Sequence, residues 1–204
     1  MQDTGPDKAT GRGGVTAADP HDDGALIVAF ANGDAEAARL LTGRLGPRAY
    51  SVAMRMLGNR AEAEDVAQEA MMRLWRAAGD WQHGQARVST WLYRVVLNLC
   101  LDLKRRRRTV HLDEVPEPED GGRSAADSMQ EAARNDALQL ALMSLPERQR
   151  QAVVLRHIEE LTNPEIAGIM DISVEAVESL TARGKRALAR SLQERRDELG
   201  YVDG

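Results

Sequence analysis

Aromatic side chains account for only 3% of the 204 residues, a single phenylalanine beside three tryptophans and three tyrosines. Cores must therefore be packed from Leu, Val, Met and Ala, and each core is expected to be small. Cys100 is the only cysteine, which excludes an intramolecular disulfide and points to a reducing compartment. Between Leu99 and Leu101 it reads as a small packing residue, since a redox sensor would need exposure and a lowered pKa. No apolar run approaches the roughly 20 residues of a membrane span, and the first residues show no basic start followed by a signal-like run. A soluble, cytoplasmic protein is expected. Sustained alternation of apolar and polar residues is also missing, so the expected fold class is all-α.

Enzymatic signatures are missing as well. The four histidines (21, 83, 111, 157) lie far apart, with no cysteine or carboxylate at ligand spacing on a shared helix, so no metal site is expected. Gly11-Arg12-Gly13-Gly14 precedes neither a strand nor a helix, which removes a phosphate-binding loop. The expectation is a protein without catalytic residues, cofactor or small-molecule substrate.

What is present is charge, unevenly placed. The net charge of -5 conceals 14 basic and 8 acidic residues in 24–108, a local excess of +6, followed by 2 basic and 8 acidic residues in 109–136, a local -6. A basic module adjoins an acidic connector. Residues 1–23, rich in Gly, Asp and Thr, read as a disordered tail. The expected organisation is a helical domain over 24–108, a flexible acidic linker over 109–136 carrying Pro116, Pro118, Gly121 and Gly122, a second helical domain over 137–196, and a tail over 197–204.

Within the first domain, Asp22 or Asp23 can cap a helix holding Leu26, Ile27 and Phe30. Asn32-Gly33-Asp34 breaks and recaps the chain. A helix over 35–45 is expected to stop at Gly46-Pro47, because Pro47 lacks an amide hydrogen. Another follows over 48–57, with Val52, Met56 and Leu57 inward and Gly58-Asn59 closing it. Residues 61–77 place Ala63, Val66, Ala67, Ala70, Met71, Leu74 and Ala78 on one face at steps of three and four. The opposite stripe is Asp65, Gln68, Glu69, Met72, Arg73 and Arg76, polar apart from the single Met; taken alone, it reads as a solvated face before it reads as a docking face. The helix 89–103, with Ser89 as candidate N-cap, buries Leu92, Val95, Val96, Leu99 and Leu103, and aligns Arg94, Asn98, Asp102 and Arg105 elsewhere. It runs into Lys104, Arg105, Arg106, Arg107 and Arg108. Five consecutive cations exceed what a helix C-terminus needs and suit a polyanion.

The second domain shows four expected helices. The first, from about Ala137, presents Leu138, Ala141, Leu142 and Leu145. The second starts at Pro146 and carries Val154, Leu155, Ile158 and Leu161. The third opens on Thr162-x-x-Glu165, capping-box spacing, with Ile166, Ile169 and Met170 inward. Asp171-Ile172-Ser173 makes a turn, and Ser173 caps the fourth, whose inward positions are Val177, Leu180, Gly184 and Leu188. That pattern is a helix-turn-helix, in which the last helix enters the DNA major groove by its N-terminal part.

The stretches LGNRAEAEDVAQEAMMRLW (57–75), TWLYRVVLNLCLDLKRRRR (90–108) and LPERQRQAVVLRHIEELTNPEIAGIMDISVEAVESLTARGKRAL (145–188) resemble, in that order, the extracytoplasmic-function (ECF) sigma factors of the sigma-70 family. These small bacterial proteins direct RNA polymerase to promoters. The resemblance implies that 24–108 is a sigma-2 domain, whose Asp65, Gln68, Glu69, Arg73 and Arg76 dock on the β′ clamp helices of core RNA polymerase. It implies that the loop 81–89 captures a flipped base of the minus-ten element, with Gln82, Gln85 and Arg87 as candidate donors and acceptors; the loop's Trp81, with Trp75 and Trp91, reads instead as its anchor. Arg94, Asn98, Lys104, Arg105, Arg106, Arg107 and Arg108 would engage the same element as it opens. The acidic linker would thread towards the RNA exit path, or serve only as a solubilising tether.

In the same way 137–196 would be a sigma-4 domain that meets the β flap and reads the minus-thirty-five element through Ser173, Glu175, Ala176, Glu178, Ser179, Arg183, Lys185 and Arg186. Ala182 and Arg190 share that exposed side. Departures from the family pattern are Asp171 in place of the usual turn glycine, Glu178 where many relatives are basic, and Gly184, which weakens a helix by about 1 kcal/mol relative to Ala. An anti-sigma factor covering these faces is a further implied partner, beside core RNA polymerase and promoter DNA. Two other readings stand beside this one. A stand-alone helix-turn-helix regulator would explain 137–196 but not the paired helices of 57–108. A sigma-like decoy that sequesters an anti-sigma factor could dispense with the basic residues that this chain keeps.

Overall fold

The structure, a computed structural model, describes residues 22–82, 87–110 and 126–198, and their side chains except those of 108–110, 126–133 and 195–198. The expected tail up to residue 21, Gln85, linker residues 111–125, the side chain of Arg108 and residues 199–204 lie outside it. Among the described residues all regular structure is helical: α1 (Asp23–Ala31), α2 (Ala35–Leu57), α3 (Arg60–Ala77) with a short 3-10 turn at Ala78–Asp80, α4 (Val88–Val110), α5 (Ala126–Ser144), α6 (Glu147–His157), α7 (Asn163–Met170) and α8 (Val174–Glu198).

The helix boundaries mostly follow the capping chemistry. Asp34 Oδ1 accepts from the amides of Glu36 and Ala37 to start α2, and Asn59 Oδ1 accepts from Glu62 to start α3. Gly58, at φ 71°, closes α2 in the left-handed conformation that glycine adopts without penalty. Glu165 accepts from both the amide and the hydroxyl of Thr162 at the start of α7. Asp171 takes the left-handed turn at φ 53°, and Ser173 Oγ accepts from Ala176 to open α8.

Three expectations are corrected. Residues 35–57 form one helix that runs through Pro47 rather than two helices broken before it. An interior proline costs about 3 kcal/mol, but Leu41, Leu45, Ala49, Val52, Ala53 and Met56 line one buried face across the proline. Burying each of the larger of these contributes about 1.5–3 kcal/mol, so the continuous face wins. Second, α4 begins at Val88, which puts Ser89 inside the helix and not at its cap, and the helix continues through the whole basic run. Third, α5 begins at Ala126, so the last part of the expected linker, 126–136, is helical. The segment holds the strong helix formers Ala, Met, Gln, Glu and Arg.

The buried face of α4 is also wider than expected. Leu92 and Val96 are buried as read, but Tyr93, Leu97 and Cys100 are buried too, whereas Val95, Leu99 and Leu103 are only partly covered. The reason is a second neighbour. Helices α2 and α3 cover one side of α4, and α7 covers another, while α5 and α6 lean on α2. In the second half of the chain α8 is the hub for α5, α6 and α7. Ala141, Leu142, Leu145, Val153, Val154, Leu155, Leu161, Ile166 and Val177 fill its interior, and Arg150 and Gln151 are buried among them.

Candidate functional site

Three polar surfaces emerge from this framework. On α3 the inward positions expected from the sequence are all buried. That leaves Asp65, Gln68, Met72, Arg73 and Arg76 exposed and Glu69 partly so. Glu69 is held by Arg73 at 2.8 Å and Arg76 at 3.7 Å, and the hydrogen bond from Arg73 holds its carboxyl below the ordinary range. Met72 is 51% exposed in the middle of this charged stripe. A single exposed apolar side chain is ordinary on a protein surface; what the geometry gives here is a continuous polar stripe with one apolar residue set in it.

The second surface is α4 and the loop before it. Trp81 meets Trp91 edge-on, with ring centroids 6.1 Å apart, and Trp75 packs against Phe30 at 4.6 Å, so the tryptophans fasten the loop and α3 to the domain. Gln82 and Arg87 are exposed at its two ends. Arg94 and Asn98 are exposed on α4 and line an open cleft whose other wall is Ile169, Met170 and Asp171. The cationic run does not project as a block. Arg105 and Arg106 are exposed, but Lys104 is largely covered and lies 3.2 Å from Glu147, and Arg107 pairs with Glu62 at the start of α3. Burial pushes the Lys104 ammonium below its usual pKa.

The third surface is the outer side of α8. Ser173, Glu175, Glu178, Ser179, Ala182, Arg183, Lys185, Arg186 and Arg190 are exposed, and Ala176 is partly so. Glu175 is held below the ordinary carboxyl range by its own backbone amide and by Ser173. Glu178 accepts from Asn163 of α7 at 3.3 Å, and Arg183 folds back on the Ser179 carbonyl. Glu178 thus helps join the two helices of the motif as well as facing outward.

Contacts between the halves were not anticipated. Arg87, just before α4, and Tyr93, Arg94 and Lys104 on it all reach to the second half of the chain. The positions Tyr93, Leu97, Cys100 and Lys104 recur at helical spacing, and that stripe was the available signal. Burial pushes the Cys100 thiol up to about 12, in keeping with a packing residue.

A short turn joining α7 to α8, with the polar side of α8 outward and its apolar side on α6, defines the helix-turn-helix class, here fused to a separate helical layer that carries a charged stripe. Comparison with known sequences narrows the class. The family model for sigma-70 region 2 matches residues 41–110, and that for sigma-70 region 4 matches residues 135–188. The ECF RNA polymerase sigma factor SigW of Bacillus subtilis is 31% identical over 156 residues, 71% of this chain and 83% of its own length. SigE of Mycolicibacterium smegmatis is 37% identical over 146 residues, covering 69% of this chain; this chain spans only 56% of that relative. The solved structure of CnrH, in complex with the cytosolic domain of CnrY, superposes with a TM-score of 0.65 at 25% identity, covering 84% of this chain and 97% of CnrH. The chain belongs to the ECF RNA polymerase sigma factors.

Proposed function

We propose that this sigma factor binds core RNA polymerase through α3 and reads a bipartite promoter through α4 and α8. The observation that carries the assignment is that Asp65, Gln68, Met72, Arg73 and Arg76 stand exposed along one side of α3, with Glu69 partly so, inside the segment that matches sigma-70 region 2. An apolar anchor ringed by charges of both signs suits a protein partner: the apolar centre supplies affinity and the charges supply specificity and association rate. The clamp helices of the β′ subunit are the partner for that stripe, and the β flap for the second domain.

Arg94, Asn98, Arg105 and Arg106, with Gln82, Gln85 and Arg87 at the loop, engage the minus-ten element as the strands part. Lys104 and Arg107 enter only if Glu147 and Glu62 release them. Ser173, Glu175, Ala176, Ser179 and Glu178 face bases of the minus-thirty-five element, whereas Arg183, Lys185 and Arg186 grip phosphate. Two modest readers joined in one chain become effectively intramolecular once both engage polymerase. The chemistry of RNA synthesis belongs to the polymerase, and no residue here is assigned a catalytic part. An anti-sigma partner is the further expectation, in keeping with the solved structure of CnrH in complex with the cytosolic domain of CnrY.

Run-off transcription from genomic fragments, with core polymerase alone and with this protein added, tests the reading. New discrete transcripts that depend on the protein are expected. A protein that neither binds core polymerase nor yields any transcript would refute it.

A further inference from the structure

The leading part of α8 carries acid and no base. Between Ser173 and Ala182 the charged residues are Glu175 and Glu178, both exposed, and the first cation is Arg183. Elsewhere the fold neutralises carboxylates along its helices: Glu36 meets Arg39, Glu64 meets Arg60 and Glu69 meets Arg73, each at a spacing of three or four residues. Around Glu178 those positions hold Val174, Glu175, Thr181 and Ala182, so no cation stands at that spacing. Arg183, a little further on, donates to the Ser179 carbonyl instead. Glu175 is engaged at the helix start by its own backbone amide and by Ser173. The partner of Glu178 is a neutral amide: Nδ2 of Asn163, the first residue of α7, donates to Oε1 at 3.3 Å.

We infer that Glu178 selects cytosine at one position of the upstream element, and that Asn163 is the positioning residue that holds it there. The inference rests on the assignment of α8 to the major groove of the minus-thirty-five element. In that groove guanine shows two acceptors, thymine an acceptor and a methyl group, and adenine a donor beside an acceptor. Cytosine alone shows a donor, its N4 amino group, and no acceptor. An ionised carboxylate can only accept, so cytosine is the one base edge it meets without repulsion. Asn163 engages Oε1 through an uncharged group, which limits where the carboxylate can swing and leaves its charge uncancelled.

The selection works by exclusion as much as by attraction. An anion carried into a groove walled by phosphates is repelled, and the cytosine amino group offsets that repulsion. Over any other base the repulsion stands. Arg183, Lys185, Arg186 and Arg190 lie past the acidic part of the helix, all exposed, and supply the phosphate contacts that a basic residue at 178 would otherwise make. Reading and gripping are divided along α8, its N-terminal part to the bases and the remainder to the backbone.

The test lets holoenzyme, assembled from core polymerase and the full chain, select bound duplexes from a random library, and compares the wild type with Glu178→Gln, Glu178→Ala and Asn163→Ala. In the wild type one position of the upstream element should favour cytosine by about five- to tenfold over the other bases. Glu178→Gln should move that position to adenine, whose N6 and N7 a glutamine amide pairs together. Glu178→Ala should level the position and raise affinity for sequences that lack the cytosine. Asn163→Ala should lower the cytosine preference at that position alone; an equal loss on every sequence would show that Asn163 only supports the fold and would strike it from the proposal. Positions of the downstream element should stay the same in all four proteins. A Glu178→Gln protein that keeps the wild-type preference, or that gains affinity equally on every sequence, would overturn the proposal and leave α8 on DNA with Glu178 merely opposing phosphate. Enrichment confined to the downstream element would remove the assignment of α8 itself, and the proposal with it.

Discussion

A β carbon at Gly184 would come within 2.6 Å of Val153 Cγ2 and 3.1 Å of the Gln149 carbonyl. In a solvated helix, Gly184→Ala would gain about 1 kcal/mol; here overpacking between α6 and α8 costs about 1–3 kcal/mol, and the second effect wins. The melting temperature of Gly184→Ala should fall, and a rise would mean that α6 and α8 do not approach closely at this point. Glycine at 184 was legible as a helix weakener, but its reason was not, because the neighbour that excludes a side chain is 31 positions away. Cys100 is the complementary case, since its packing role was legible from its leucine neighbours. Its thiol titrates higher folded than unfolded, so its neutral form adds stability that is complete below the ordinary thiol range. That contribution is lost as pH rises from about 9 towards 12. Native protein at pH 8 should resist iodoacetamide and react at once in denaturant, as mass spectrometry can follow; rapid native alkylation would place the thiol outside the core.

At the scale of elements, α2 shows where local rules stop. Pro47 is a helix breaker by its own chemistry, and the stop predicted before it followed from that chemistry alone. The buried series Leu41, Leu45, Ala49, Val52 and Met56 continues across it at helical spacing, and a reading that summed the face over the whole stretch would have found one helix. Pro47 is exposed, so Pro47→Ala restores an amide hydrogen without opening a cavity. It should raise stability in urea by about 1–3 kcal/mol at constant m-value. No change would show that α2 is already relaxed around the proline. Helix α4 carries the opposite lesson. Its basic run was legible, yet only Arg105 and Arg106 are exposed among the residues whose side chains are described, because Lys104 and Arg107 find carboxylates on α6 and α3. Arg105→Ala with Arg106→Ala should therefore weaken promoter complexes and flatten their salt dependence by about 0.7–0.9 log units per arginine at unchanged stability. Arg107→Ala should lower stability by leaving Glu62 unpaired. Equal effects on both measurements would erase the distinction. On α3, Asp65→Lys with Glu69→Lys should abolish co-purification with core polymerase while the helix content holds, and retained binding would refute that docking face.

For the molecule as a whole, the charge partition was visible in the sequence, and so was the order of the two helical units. Their mutual contact was not, because no local pattern pairs Arg87 with a carboxylate 78 positions later or Lys104 with one 43 positions later. Those pairs give salt two opposed effects on DNA binding. Neutralising phosphates releases counterions, so affinity for a single strand falls with a slope of about 0.7 per phosphate contacted. In this fold, though, Arg87 and Lys104 are already paired with Glu165 and Glu147. Exchanging a carboxylate for a phosphate releases little, and salt weakens the pairs that must break. The wild-type chain should therefore show a salt slope shallower than the Glu147→Gln, Glu159→Gln, Glu165→Gln variant by about 1.4, two contacts' worth. The gap in affinity should be widest in dilute buffer and close as ionic strength rises and the two pairs weaken. Parallel lines across the salt series would mean that Arg87 and Lys104 make the same exchange in both proteins, and that the two halves of the chain do not compete for them.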